Sequence, residues 1–124
     1  MAKQTIGASI SKDDIDKLLG NLKNISSEIT EKVKDEIELT AIEIETDAKQ
    51  LCPVDTGRLR SSIKALTDRD KMAALVGSNV EYAAFVELGT NKQEAHPYLY
   101  PAFFKNMHKL FDRLTKILDG VKES

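Results

Sequence analysis

This chain of 124 residues has one cysteine, three prolines, no tryptophan and no aromatic residue before Tyr82. A single thiol, Cys52, excludes an internal disulfide and any zinc site built on several cysteines. No run of eighteen apolar residues occurs, so no segment has the length of a transmembrane helix. The opening MAKQTIGASISKDD lacks the apolar stretch of a secretory signal, and cytoplasmic synthesis is expected. With 18 basic and 20 acidic side chains the net charge is −2, which gives the chain no general attraction for polyanions. Glycine-rich phosphate loops are missing too, because Gly57, Gly77 and Gly89 each stand at an element boundary.

What is present is unevenly distributed. Residues 1–52 hold 7 basic and 11 acidic side chains, residues 53–124 hold 11 and 9, and all seven aromatics lie in the second part. The length suits one domain, and 41% hydrophobic residues suffice for a core. An acidic, aliphatic first part is thus joined to a slightly basic, aromatic-containing second part.

Residues 1–11 read as a flexible N-terminus. Ser11 is a suitable N-cap with Asp14 three residues on, and Ile10 and Ile15 are placed as a hydrophobic staple across that cap. From Ile15 an apolar stripe runs through Leu18, Leu22, Ile25, Ile29, Val33, Ile37, Ala41, Ile44 and Ala48 to Leu51. Ten steps over 36 residues give the 3.6-residue period of a straight α-helix. A long helix over 12–52 follows, with Gly20, Asn24 and Ser26-Ser27 as points where it can break. Unbroken, it would reach about 60 Å, against a diameter of roughly 35 Å for a compact chain of this size. Either it folds back near Gly20 or its apolar ridge is buried on another subunit. The second outcome is expected.

Pro53 stops the helix and Asp55-Thr56-Gly57 turns the chain. Leu59, Ser61, Ile63 and Ala65 then alternate with Arg58, Arg60, Ser62 and Lys64, a period-2 strand with one basic face. Thr67 to Asp70 is a polar turn and residues 71–78 a second strand, so 53–78 reads as turn and β-hairpin. Asn79 caps a short helix over 80–88, with Glu81 in its first turn and Gly89 at its end. Pro97 or Pro101 opens an amphipathic C-terminal helix over 97–119, carrying Phe103, Phe104, Met107, Leu110, Phe111, Leu114, Ile117 and Leu118. The fold class is therefore α+β: long N-terminal helix, β-hairpin, short helix, C-terminal amphipathic helix, in a single domain over 12–124.

Candidate chemistry is thin. A nucleophilic pair would need Cys52 beside His96 or His108, but the spacing matches no local signature, and Cys52 reads as a small buried apolar residue. His96 is expected to be exposed and His108 partly buried. The carboxylates from Glu28 to Asp47 are interleaved with Lys32 and Lys34, as on a solvated or interface-facing helix surface. No metal-ligand spacing, cofactor motif or catalytic residue is found. Arg58, Arg60 and Lys64 form a basic stripe whose alternatives are contact with an acidic protein, plain exposure, or the phosphates of a nucleic acid. The last would make the chain a small nucleic-acid-binding regulator.

Three segments in order, PVDTGRLRSSI (53–63), VGSNVEYAAFVELGT (76–90) and HPYLYPAF (96–103), resemble the minor tail-component family of long-tailed bacteriophages and prophages. The positions that carry the likeness are Pro53, Asp55, Thr56, Gly57, Leu59, Ser62, Tyr82, Ala83, Glu87, Gly89, Thr90, Pro97, Leu99, Pro101 and Ala102. The 91–96 loop, NKQEAH, departs from the pattern. The resemblance implies a structural, non-enzymatic neck protein that completes the tail or joins head to tail. Its partners would be the head–tail connector, the tail terminator and further copies in a ring around the DNA channel, with at most nonspecific contact to that DNA. It would be found in the host cytoplasm during assembly and then in the virion neck or tail. On this view Asp55 to Gly57 set the turn, Tyr82 packs the short helix, and Gly89 ends it. Glu87, unfavourable at a helix C-terminus, would be paired with Arg58 or Arg60.

Overall fold

A computed structural model describes residues 5–19, 26–54 and 57–122. Eight elements follow in order: β1 (Ile6–Ile10), α1 (Lys12–Leu19), α2 (Ser27–Leu51), α3 (Arg58–Ser62), β2 (Lys64–Asp68), β3 (Ala73–Ser78), α4 (Ala83–Leu88) and α5 (Leu99–Lys122). The fold is α+β. One antiparallel sheet, ordered β1-β3-β2, is covered on one face by α2, with α5 lying alongside α2.

The first strand corrects the expectation of a flexible terminus. Ile6, Ala8 and Ile10 point to the core while Gly7 and Ser9 face out, an alternation that lets five residues pair with Ser78 to Ala74. The pattern is short and lies next to a helix cap, which hid it. The cap itself forms as read: Asp14 N–H donates to Ser11 Oγ at 3.2 Å and Ser11 N–H to Asp14 Oδ2 at 3.3 Å. Ile10 and Ile15, buried on either side of it, complete the staple.

Ser26 caps α2 by accepting from Ile29 N–H at 3.2 Å, and the helix runs unbroken to Leu51, where Cys52 N–H closes the last turn on Ala48 O. The inner stripe of α2 is then covered from within the subunit. Val33, Ile37, Ala41, Ile44 and Ala48 are all at most 1% exposed, packed with Ala8, Ile10, Ala74 and Val76 of the sheet and with Leu110 and Leu114 of α5. The expectation that another subunit must shelter this ridge is overturned for the positions from Val33 to Ala48. Two separate helices replace one long one, α1 packs against α5, and Ile15 is fully buried. Removing each such side chain from water is worth about 1.5–3 kcal/mol, enough for the short sheet and α5 to compete with any outside partner. Ile29 is half-buried and Leu51 is 52% exposed. Gly20 and Asn24, named as points where the helix can break, and Leu22 and Ile25 of the stripe lie outside the described residues, as does the side chain of Leu18.

The second correction concerns residues 58–63. Residues 58–62 form the helical turn α3, capped by the extended Ile63, not the first half of a strand, and the hairpin begins only at Lys64. Leu59 and Ile63 fit both patterns, being an even number apart and also i, i+4. Gly57, at φ 81°, supplies the left-handed residue that precedes the turn. Both side chains are buried on one face of α3, at 5% and 0% exposure. Ser62 Oγ donates back to Leu59 O at 2.6 Å and shares a second hydrogen bond with Ser78 Oγ, locking α3 to β3.

Candidate functional site

The residues singled out by the motif gather at one corner, where α2 ends, α3 begins, and α4 leads through the 89–98 loop into α5. Asp55 and Thr56 lie outside the described residues. Pro53, Pro97 and Pro101 are exposed at the corner's surface, with Pro101 inside the first turn of α5.

Glu87 is the centre of the corner. It is 2% exposed, and its carboxylate accepts from the backbone N–H groups of Leu99 at 2.7 Å, Tyr98 at 3.0 Å and Tyr100 at 3.2 Å. Those are the first unsatisfied donors of α5, at its positive end, so the charge is stabilised where the chain most needs an acceptor. The proposed pairing of Glu87 with Arg58 or Arg60 is therefore wrong. The disfavoured end of α4 is offset by the favoured end of α5, a relation between helices with no signature in local spacing. Tyr98, with no exposed surface, donates its hydroxyl to Ala83 O at 3.0 Å and ties α5 back to α4. Burial, and then the Glu87 charge, push its phenol well above the usual range.

The intervening loop is equally fixed. Gly89 has φ 77°, and a β-carbon there would come within 2.8 Å of Ala95 N. Thr90 and Gln93 exchange backbone hydrogen bonds of 2.8 and 3.3 Å, and His96 N–H donates to Val86 O at 2.8 Å. Tyr82 stands at the start of α4, half-buried, with the Arg58 guanidinium 5.5 Å from its ring centre. Arg58 also grips Glu81 with two bonds of 2.9 Å, which hold the Glu81 carboxyl below its ordinary value. Pro53, Gly57, Arg58, Leu59, Tyr82, Val86, Gln93 and His96 line a groove of about 470 Å³ across this corner.

The basic stripe does not exist as a stripe. Arg58 is engaged with Glu81 and Tyr82, and Arg60 donates Nε to Lys49 O at 2.7 Å, clasping the end of α2. Lys64 alone extends from a strand. A nucleic-acid surface built on an extended basic face has no support here. Cys52 is buried and its thiol is pushed up, first by burial, with Arg60 opposing and Glu87 reinforcing the shift. His96 is exposed as expected, and His108 is exposed as well, not partly buried. Among the described residues no group of His, Cys, Asp and Glu could hold a metal ion, and no helix is long and apolar enough to cross a membrane.

Three residues that the pattern did not single out organise the acidic face of α2. Arg113 of α5 reaches Glu36 at 2.7 Å, Glu43 at 2.9 Å and the buried Thr40 hydroxyl at 2.7 Å. Arg69, in the hairpin turn, contacts Glu31, Asp35 and Glu38 at 2.9–3.0 Å. Asn106, fully buried, donates to Asp47 Oδ2 and Ala102 O, both at 2.8 Å. The carboxylates expected to face solvent or a partner thus largely hold the subunit together. Their i, i+3/i+4 spacing was the only signal available.

Large apolar side chains nevertheless remain in water. Leu39 and Ile42 on α2, Phe85 and Leu88 on α4, Phe104 and Phe111 on α5 and Leu66 on β2 are 44–63% exposed. Leu66 lies on the sheet face turned away from the helices, in register with Leu75. No curated protein and no solved structure matches the chain. A family model does match, that of the HK97-gp10-like bacteriophage proteins assigned as tail components, over residues 16–89, more than half of the chain and including the α2–α3 junction and α4. The chain belongs to the HK97-gp10-like family of phage tail components.

Proposed function

We propose that the protein is a neck component that completes the tail or joins head to tail, acting by protein–protein assembly and not by catalysis. It closes into a ring around the DNA channel, between the head–tail connector and the tail terminator. The observation that carries this is the placement of the exposed apolar residues. Leu66 lies on one side of the sheet, while Ile42 and Phe104 belong to the helices on the other side. A heterologous interface joins two different faces of the same subunit and closes at a fixed rotation, so apolar surface on opposed sides suits a ring.

On this proposal the motif residues act through geometry. Pro53 and Gly57 aim α3, while Arg58 and Arg60 fasten it to Glu81 and to the end of α2. Tyr82, Glu87, Gly89, Thr90, Pro97 and Pro101 set the angle between α4 and α5, and that angle sets the rotation between neighbours. The test is native mass spectrometry and pull-down of the purified chain with connector and terminator proteins from the same phage or prophage. Association with at least one of them, lost on Leu66→Ser or Phe104→Ser, is expected. Failure to bind any of them would refute the proposal.

A further inference from the structure

The two edges of the sheet are treated very differently. On β2, Glu45 of α2 accepts from the outward Ala65 N–H at 2.7 Å, and Lys64 and Asp68 place charges at either end. Such blocking is how proteins keep an edge from pairing with another chain. On β1, IGASI carries no charge and no proline, and among the described residues it pairs on one side only, with β3.

The donors of that free edge can be assigned. Because Ala65 turns its N–H outward, alternation across the antiparallel ladder places Val76, its register partner, in bonding position toward Ala8. Gly7 and Ser9 then direct their N–H and C=O groups outward, and both residues are exposed. The strand is also nearly palindromic. Antiparallel pairing about Ala8 sets Gly7 against Ser9 of a second copy, Ile6 against its Ile10, and Ala8 against its Ala8. All four outward groups on each copy find partners, and the core-facing isoleucines continue one apolar face across the junction.

We infer that two copies of the chain pair through β1, antiparallel about Ala8, to make one six-stranded sheet from two sheets of three strands. The guarded β2 edge cannot accept this strand without displacing Glu45, so β1 of a second copy is the matching occupant. The pair is isologous, whereas copies in a ring all point the same way along its axis. The dimer is therefore a form of the free protein that shields β1, and it must open before ring closure. It does not depend on the ring proposal, since the pairing follows from the edge alone.

Sedimentation velocity across micromolar concentrations tests this, with a concentration-dependent dimer expected. Gly7→Lys combined with Ser9→Lys brings like charges directly opposite one another in two pairs and should weaken the dimer by roughly tenfold or more, with the circular dichroism of the monomer unchanged. Phe104→Ser, on α5, should leave it intact. Should the lysine variant fold poorly, a mixture of Gly7→Cys and Ser9→Cys chains should cross-link on oxidation. Their α-carbons would stand about 5.5 Å apart, within disulfide reach. A wild-type protein that stays monomeric throughout, a dimer that survives both lysines, one lost on Phe104→Ser, or the absence of that mixed disulfide would overturn the inference.

Discussion

Replacing Glu87 with alanine would leave three backbone N–H groups, those of Tyr98, Leu99 and Tyr100, without the acceptor that now lies 2.7–3.2 Å away. Tyr98 and Leu99 are at most 1% exposed, so water cannot readily take its place. A hydrogen bond to a charged group is worth about 1.5–3 kcal/mol, and an acceptor at a helix N-terminus adds up to about 1 kcal/mol. Relaxation of the first turn recovers part of that sum. The expected loss is about 3–5 kcal/mol, a large share of the roughly 5–15 kcal/mol typical of a whole domain. Glu87→Gln keeps an acceptor oxygen but no charge and should cost about half as much. Urea denaturation followed by circular dichroism measures both. The decisive comparison is a double-mutant cycle with Arg58→Ala. Glu87 and Arg58 share no contact, so the two losses should add to within about 0.5 kcal/mol. A loss below about 1 kcal/mol for Glu87→Ala, or strong coupling to Arg58, would refute the account of Glu87 as the cap of α5.

Three further outcomes are expected. Gly89→Ala should destabilise by about 2 kcal/mol or more, because the left-handed backbone and the 2.8 Å approach of a β-carbon to Ala95 N act together; thermal melts would show it. The Arg58–Glu81 pair depresses the Glu81 carboxyl, so its stabilising effect is present above the ordinary carboxylate value and lost as pH falls through the depressed one. Melting temperatures of wild type and Arg58→Ala should therefore differ slightly at neutral pH, and the gap should narrow in acid to what the contact with Tyr82 contributes; a gap that does not narrow would contradict the pairing. Cys52, buried with its thiol pushed up, should react with an alkylating reagent at least tenfold more slowly than in urea-unfolded protein.

Much of the local structure was legible because it rests on local physics. Ser11 and Asp14, the stop at Pro53 and the end of α4 at Gly89 are each settled within a turn or so of chain. The stretch 58–63 misled because Leu59 and Ile63 satisfy a strand and a helical turn equally, and only burial beside β3 distinguishes them. Strand β1 escaped notice because five residues, three of them small, give a weak pattern that acquires meaning only when β3 lies alongside.

The partners of charged groups show where legibility ends. Nothing in VEL marks Glu87 as the acceptor for a helix that starts twelve residues later, and nothing near Arg113 names Glu36 and Glu43, seventy or more positions away. The amino-acid order by itself determined the cap at Ser11, the stop at Pro53 and the end of α4 at Gly89, which helix faces are apolar, and the motif that marks the family, since these depend on neighbours a few bonds apart. Tertiary structure alone decided that the ridge from Val33 to Ala48 is covered at home, that the carboxylates serve α5 and the two arginines, and that β1 keeps an open edge among the described residues. Each of these is a matter of which surfaces meet, and the free energy of that meeting is shared among segments that no short window contains.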